Sequence, residues 1–572
     1  MYADVAYTKD RAAGQNRPGL PSFAREKSNR PIVHVGATAN HREAVASVGP
    51  GLRALHHFSG KKFGLQTYRN LVIGLTFLAY ASYNAARRPI SIVKPVLHHP
   101  EKSGGAWCGG TSPAAIDSKE PTPEWKPFNG EKGQMRLGDV DLAFLSAYAV
   151  GGMISGHIAD QVDPRHFLLI GMLGSGAASI LVSFGYFKNI HNTWFYVLGQ
   201  ILSGLFQSTG WPVVVAIVAH WFTKGKRGLA MGLWTAHSPL GSIVGSLMSA
   251  SVLTYGWGWC FLLLGLLIAA AGVFIWCFLV VHPADVGLAE PKINALERKG
   301  GDGVAEDSIR APLLPASDSF STANAQPKSI GFFRAWCIPG VLPFALSLFC
   351  SKLVAYTFIF WLPFYATSTC IQGRSLSVEE ATALSTIFDV ASAIGALLTG
   401  YLSDLTQSSA SVSTAFALLA IPSLYLYNLI GHVSLWLNAV LLLLTGICVH
   451  GPFALITTAV SADLGSHESL QHNERALSTV TAIIGGMGSV GAAVGPTITG
   501  VLLSGKGKGN FDRVFSMLAA CSFAAGVMLC GLVWKELKAW LQRGKYGGTC
   551  DEETCPQGNC SSIKTLGEGY NR

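Results

Sequence analysis

Two basic residues stand where a positive charge is expensive. Arg87 closes the run LVIGLTFLAYASYNAAR, and Lys352 sits inside CIPGVLPFALSLFCSKLVAYTFIFWLPFY with apolar residues on both sides. A charge at the centre of a membrane helix costs about 2.5 to 3.5 kcal/mol on insertion scales, so each one needs a reason. From Arg69 to Arg87 an ideal helix covers about 27 Å, too far for Arg87 to snorkel back to its starting face. It therefore faces a water-filled cavity or, as an anchor pair with Arg88 ahead of Pro89, the outer interface. An arginine fork and a lysine point charge together suit a dianion such as a phosphoryl group. A structural ion pair of Lys352 with Asp389 is the competing reading, and the two arrangements can alternate.

Around these cations the sequence offers the phenols of Tyr80, Tyr83, Tyr148 and Tyr356 and, in WTAHSPLG, the imidazole of His237, which is either a donor or proton carrier or a packing histidine. Arg88 and Asp389 form a second tier. No GxxxxGKS/T phosphate loop, HExxH pair or Ser-His-Asp set is present, which argues against an ATP-driven pump or a hydrolase. Neither a cofactor nor a metal is expected: Cys550, Cys555 and Cys560 in CDEETCPQGNC lack a usual zinc spacing.

The elements that must position these groups are membrane helices. Of 572 residues 49% are hydrophobic and only 13% charged, too few charges for a water-facing surface. Stretches of membrane-spanning length fall near 69–97, 139–160, 164–187, 194–222, 226–255 and 257–282, then near 337–368, 379–402, 409–430, 433–463, 473–504 and 511–538. The expected fold is an all-α membrane protein of twelve transmembrane helices in two pseudo-symmetric six-helix bundles. Residues 1–68 form a largely disordered tail, 69–282 and 331–540 the bundles, 283–330 a polar linker and 541–572 a second tail. The first apolar run begins too late for a cleavable secretory signal, although an organelle transit peptide remains an alternative for the basic N-terminal segment.

The net charge of +9 reports topology and not a nucleic-acid partner: Lys61, Lys62, Lys224, Lys226, Arg227, Lys535, Lys538 and Arg543 fall on one side and place both termini in the cytosol. Cysteines 260, 277, 350, 448, 521 and 530 lie in apolar runs as small hydrophobes, whereas Cys108 and Cys370 fall in loops on the same non-cytosolic side, where a bridge is conceivable.

The halves echo each other. GHIADQVDPR is answered by GYLSDLTQ, pairing Gly156 and Asp160 with Gly400 and Asp404, and Asp160 with Arg165 reads as a conformational latch shared with Asp404. RGLAMGLWTAHSPLGSIVG lies on RALSTVTAIIGGMGSVGAAVG, so Gly241-x3-Gly245 and Gly491-x3-Gly495 recur at the close-packing spacing. Trp211-Pro212 and Gly451-Pro452 mark matching kinks. A duplicated six-helix unit puts a binding site between the halves near the midplane.

With those residues in hand, YASYNAARRPISIVK, SGHIAD, LFQSTGWPVVVA, KGKRGLAMGLW, SKLVAYTFIFWLPFY and GPFALITTAVSADLGSHESL resemble the major facilitator superfamily, and within it the organophosphate:phosphate antiporters, over about residues 70–540. The branch resembled most is that of the eukaryotic sugar-phosphate exchangers and plant glycerol-3-phosphate transporters. The resemblance implies that Arg87 binds phosphate, that His237 lies near the site and that Lys352 is the eukaryotic lysine. It also implies exchange of a small phosphate ester for inorganic phosphate by a monomer in a lipid bilayer, with plasma membrane, endoplasmic reticulum and plastid envelope all open. Departures are Gly152 and Ala355 where bacterial members carry Lys and Arg, Arg88 for Lys, TAHSPLGS for NAHTSVGN, and GGMGS for DGTGS. Proton-coupled uptake through Asp389 or His237, and a phosphate-ester sensor that does not transport, are the alternatives.

Overall fold

The structure, a computed structural model, describes residues 48–59, 63–98, 125–159, 161–221, 234–288, 336, 338, 340–457, 474–504 and 510–546. Its α-helices are α1 (Pro50–Ser59), α2 (Leu65–Ala86), α3 (Arg88–Leu97), α4 (Gly133–Ala159), α5 (Pro164–Phe187), α6 (Thr193–Gln207), α7 (Gly210–Trp221), α8 (His237–Leu253) and α9 (Trp257–Phe278), followed by α10 (Val341–Ser368), α11 (Val378–Thr406), α12 (Ser409–Ile430), α13 (Leu435–Leu455), α14 (Glu474–Leu503) and α15 (Asn510–Tyr546). The pairs α2/α3 and α6/α7 each make one crossing, so the described helices form six crossings before the linker and six after it. Ten of these are long and apolar enough to span a membrane. The other two are the first, which is interrupted and carries Arg88 and Lys94, and the fifth, whose helix α8 is short, beginning at His237.

Both interruptions have a local cause. Pro89 has no N–H to give the Ala85 carbonyl, so the first helix stops at Ala86, turns at Arg87 and restarts. Pro212 does the same to the Ser208 carbonyl, which instead accepts from Ser155 Oγ at 3.0 Å. The matching kink expected at Pro452 is milder, since α13 runs through it to Leu455.

The repeated glycines pack as their spacing requires. A Cβ on Gly241 or Gly245 would come within 2.3 and 2.5 Å of the Ala81 and Ala85 carbonyl oxygens of α2, and one on Gly491 or Gly495 within 2.1 and 2.5 Å of those of Phe349 and Leu353 of α10. The fifth crossing thus grips the first as the eleventh grips the seventh, which is the internal symmetry in physical form.

The halves meet most closely on the face opposite the one where α2 begins and α15 ends. There Gly500 of α14 nearly touches the Gln134 carbonyl and Gly138 of α4. Towards the other face a Cβ on Gly486 would find only the tip of Met153, and one on Gly485 nothing. Among the described residues a cleft therefore opens toward the face of the chain termini. Near that opening, α1 lies in a stretch where no helix was expected and tucks Leu52 against the end of α9.

Candidate functional site

Arg87 occupies the turn between α2 and α3, half-buried at the cleft wall. Its Nε donates to Gln207 Oε1 at 2.7 Å, and its guanidinium carbon lies 4.7 Å from the ring centre of Tyr148 and 5.7 Å from that of Phe144. Gln207 ends α6 at the second interruption, so the two breaks face one another.

Successive residues of a helix point about 100° apart, and Arg88 accordingly leaves the cleft. It is ion-paired with the Asp389 carboxylate of α11, and its Nη1 donates to the Ile359 carbonyl at 3.1 Å. That carbonyl is available because Pro363, four residues on, cannot bond it. Ser91 Oγ shares it at 2.9 Å. Lys94 Nζ donates to Asp141 Oδ2 at 2.5 Å and across to the Phe360 carbonyl at 3.0 Å. Arg88, Lys94, Asp141 and Asp389 are all buried, and together with Ser91 they seal the far face between the halves.

Lys352 stands on α10 with its ammonium 5.3 Å from the Phe453 ring centre, half-buried like Arg87. The ion pair of Lys352 with Asp389 is corrected: Asp389 is held by Arg88, and neither Lys352 nor Arg87 has a carboxylate partner among the described residues. The outward anchor reading of the Arg87-Arg88 pair fails as well, because both side chains turn into the protein.

Tyr148 and Tyr356 are half-buried. Tyr80 is buried in an aromatic group, its ring centre 5.0 Å from that of Trp234, 4.8 Å from His237 and 5.8 Å from Trp211. Tyr83 has no exposed surface, wedged where Gly171 and Gly210 make room, so it supports the wall and does not touch a ligand in this state. His237 Nδ1 donates to the Trp234 carbonyl at 2.6 Å. In the neutral ring Nε2 is then an acceptor, and donation to an anion requires the protonated ring.

Of the latch residues, Gly156 has open space where a Cβ would stand, Arg165 is buried at the start of α5, Asp404 is exposed on α11, and Asp160 lies outside the described residues. Gly152 likewise faces open space and Ala355 is fully buried. The six cysteines of the apolar runs are unbridged, whereas Cys370 is disulfide-bonded; Cys108 lies outside the described residues.

Sequence reasoning passed over Gln207, Ser91, Lys94 and Asp141. The charge-cost argument applied to Arg87 would have flagged Lys94 and Asp141, both inside the expected spans. Nothing in the sequence singles out Gln207.

Fold and site together define a multi-pass membrane protein of two six-helix halves with a cation-lined cleft between them. The family model described as Major Facilitator Superfamily matches residues 126–370 and 367–540, and the chain belongs to that superfamily of membrane transporters. It is 46% identical over 504 residues, 87% of this chain and 94% of the relative, to the Arabidopsis thaliana protein named "Putative glycerol-3-phosphate transporter 1". It is 41% identical over 514 residues to the "Glucose-6-phosphate exchanger SLC37A2" of Mus musculus, covering 86% of this chain and 97% of that one. Among solved structures, an inward-facing, unoccupied bacterial homologue of the human lysosomal transporter Spinster shares the fold, with a TM-score of 0.51 at 15% identity over 83% of this chain and 98% of that chain.

Proposed function

We propose that the chain exchanges a small phosphate ester, such as glycerol 3-phosphate or a hexose phosphate, for inorganic phosphate by alternating access. The observation that carries this reading is the pair of cations, Arg87 and Lys352, that lack a carboxylate among the described residues while their neighbours Arg88 and Lys94 have one. A phosphoryl dianion supplies the missing charge: the Arg87 fork takes two oxygens and the Lys352 ammonium a third. The half-buried phenols Tyr148 and Tyr356 are assigned as hydrogen-bond partners of the ligand, with Tyr80 and His237 behind them. The names of the relatives agree with this ligand class.

Exchange follows from electrostatics. Closing the cleft on two unneutralised cations in low dielectric is unfavourable, whereas closing it on a bound dianion is not. Reopening to the far face then requires Arg88 to leave Asp389, and Ser91 and Lys94 to release the carbonyls of α10. The latch on the opposite face falls to Asp160, Arg165 and Asp404, the residues of the repeated GHIADQVDPR and GYLSDLTQ segments. The basic loops keep the termini cytosolic, and the site is complete within one chain, consistent with a functional monomer.

Purified protein in phosphatidylcholine vesicles tests the exchange. Labelled phosphate should enter only vesicles loaded with phosphate or ester, and a proton gradient should not replace that load. Equal entry into empty vesicles, or uptake driven by the gradient alone, overturns it.

A further inference from the structure

Gln207 is 1% exposed, so no ligand in the cleft can touch it. Its amide is nevertheless fully committed: Oε1 accepts from Arg87 Nε at 2.7 Å, and Nε2 donates to Ser175 Oγ of α5 at 3.0 Å and Ser203 Oγ, one turn back on α6, at 3.3 Å. Arg87, a donor only, fixes which way the amide points, and the two buried serines accept from its Nε2 and hold it in place. A flipped amide would aim two N–H groups at the guanidinium, donor against donor. Tyr148 covers the guanidinium face while Gln207 holds its inner edge, so Nη1 and Nη2 are left for the cleft.

We propose that Gln207 is the positioning residue of Arg87, setting the affinity of the site for the phosphoryl group common to both exchanged substrates and not for the ester's carbon skeleton. This rests on the assignment of Arg87 as the phosphate ligand. A neutral amide is required at this position. It accepts from Nε without cancelling the charge the ligand must meet, which the isosteric carboxylate of Gln207→Glu would do.

The test compares exchange kinetics of reconstituted wild type, Gln207→Glu and Ser175→Ala/Ser203→Ala, using inorganic phosphate and glycerol 3-phosphate as separate substrates. In Gln207→Glu, KM should rise about 10- to 100-fold for both by the same factor, with the saturated rate much less affected. The serine double variant should shift both in the same direction by a smaller factor. A change confined to the ester, or a fall in saturated rate at unchanged KM, overturns the assignment. If Gln207→Glu does not fold, the serine variant decides: unchanged phosphate KM there also overturns it. Arg87→Gln, run in parallel, separates the two layers. Loss of phosphate exchange in Arg87→Gln alongside normal Gln207→Glu kinetics defeats only the positioning role, whereas normal exchange in Arg87→Gln defeats the functional reading itself.

Discussion

The basic residues at membrane depth divide into two kinds. Arg88 and Lys94, on the far piece of the first crossing, are buried and matched to Asp389 and Asp141. Arg87 and Lys352, one in each half, are half-buried in the cleft, and no described carboxylate answers them. A cation with a resident counter-charge can serve as glue, because its desolvation is already offset. One left open at the same depth remains unfavourable until a mobile anion arrives. The adjacency of Arg87 and Arg88 makes the contrast sharp: one step along the chain, at the break before Pro89, takes the first side chain to the cleft and the second into the seal.

The largest effect expected is on the open pair. Arg87→Gln removes a charged fork and should lower phosphate exchange about 100-fold or more, measured in vesicles at equal protein. Lys352→Gln should do the same less severely, since it removes one point charge. If Arg88→Gln proved as damaging to phosphate KM as Arg87→Gln, the division into two kinds would collapse.

Breaking the seal comes next. Asp389→Asn strands Arg88 without its counter-charge, a loss of about 3 to 5 kcal/mol, and should loosen the far face. In that background a Ser91→Cys thiol should react with a membrane-impermeant reagent added from the far side, while the same thiol in the parent stays protected. Equal protection in both would show that Arg88 and Asp389 do not hold the halves together.

Lys94→Met leaves Asp141 buried and unpaired and should lower the thermal midpoint of the purified protein. Lys94→Met/Asp141→Leu should recover most of that loss, because a buried ion pair replaced by apolar groups is often near neutral. The smallest expected effect is that of Ser91→Ala, about 1 kcal/mol, seen as slightly easier labelling from the far side and little change in KM.

Much of this arrangement was legible in the residues. Depth within an apolar run was enough to single out Arg87 and Lys352, and the Gly241/Gly245 and Gly491/Gly495 spacings marked faces of close helix packing, though not the helices they meet. The partner of Asp389 was not legible. The residues offered Lys352 as its partner, whereas the first helix, restarting after Arg87, delivers Arg88 to Asp389. The effect of Pro363, an Ile359 carbonyl left free of its helix and offered to the other half, appears only when α3 is seen beside α10. Gln207 was hidden for a similar reason: an amide in an apolar helix has many uses, and its relation to Arg87 depends on two breaks falling at the same depth.

The most direct test is equilibrium binding of labelled phosphate to purified Arg87→Gln/Lys352→Gln protein that elutes as a single sharp species, compared with wild type. Saturable binding in wild type and none in the double variant is the expected result. Saturable binding of undiminished affinity in the double variant would mean that the anion is held elsewhere and that the two open cations have another purpose.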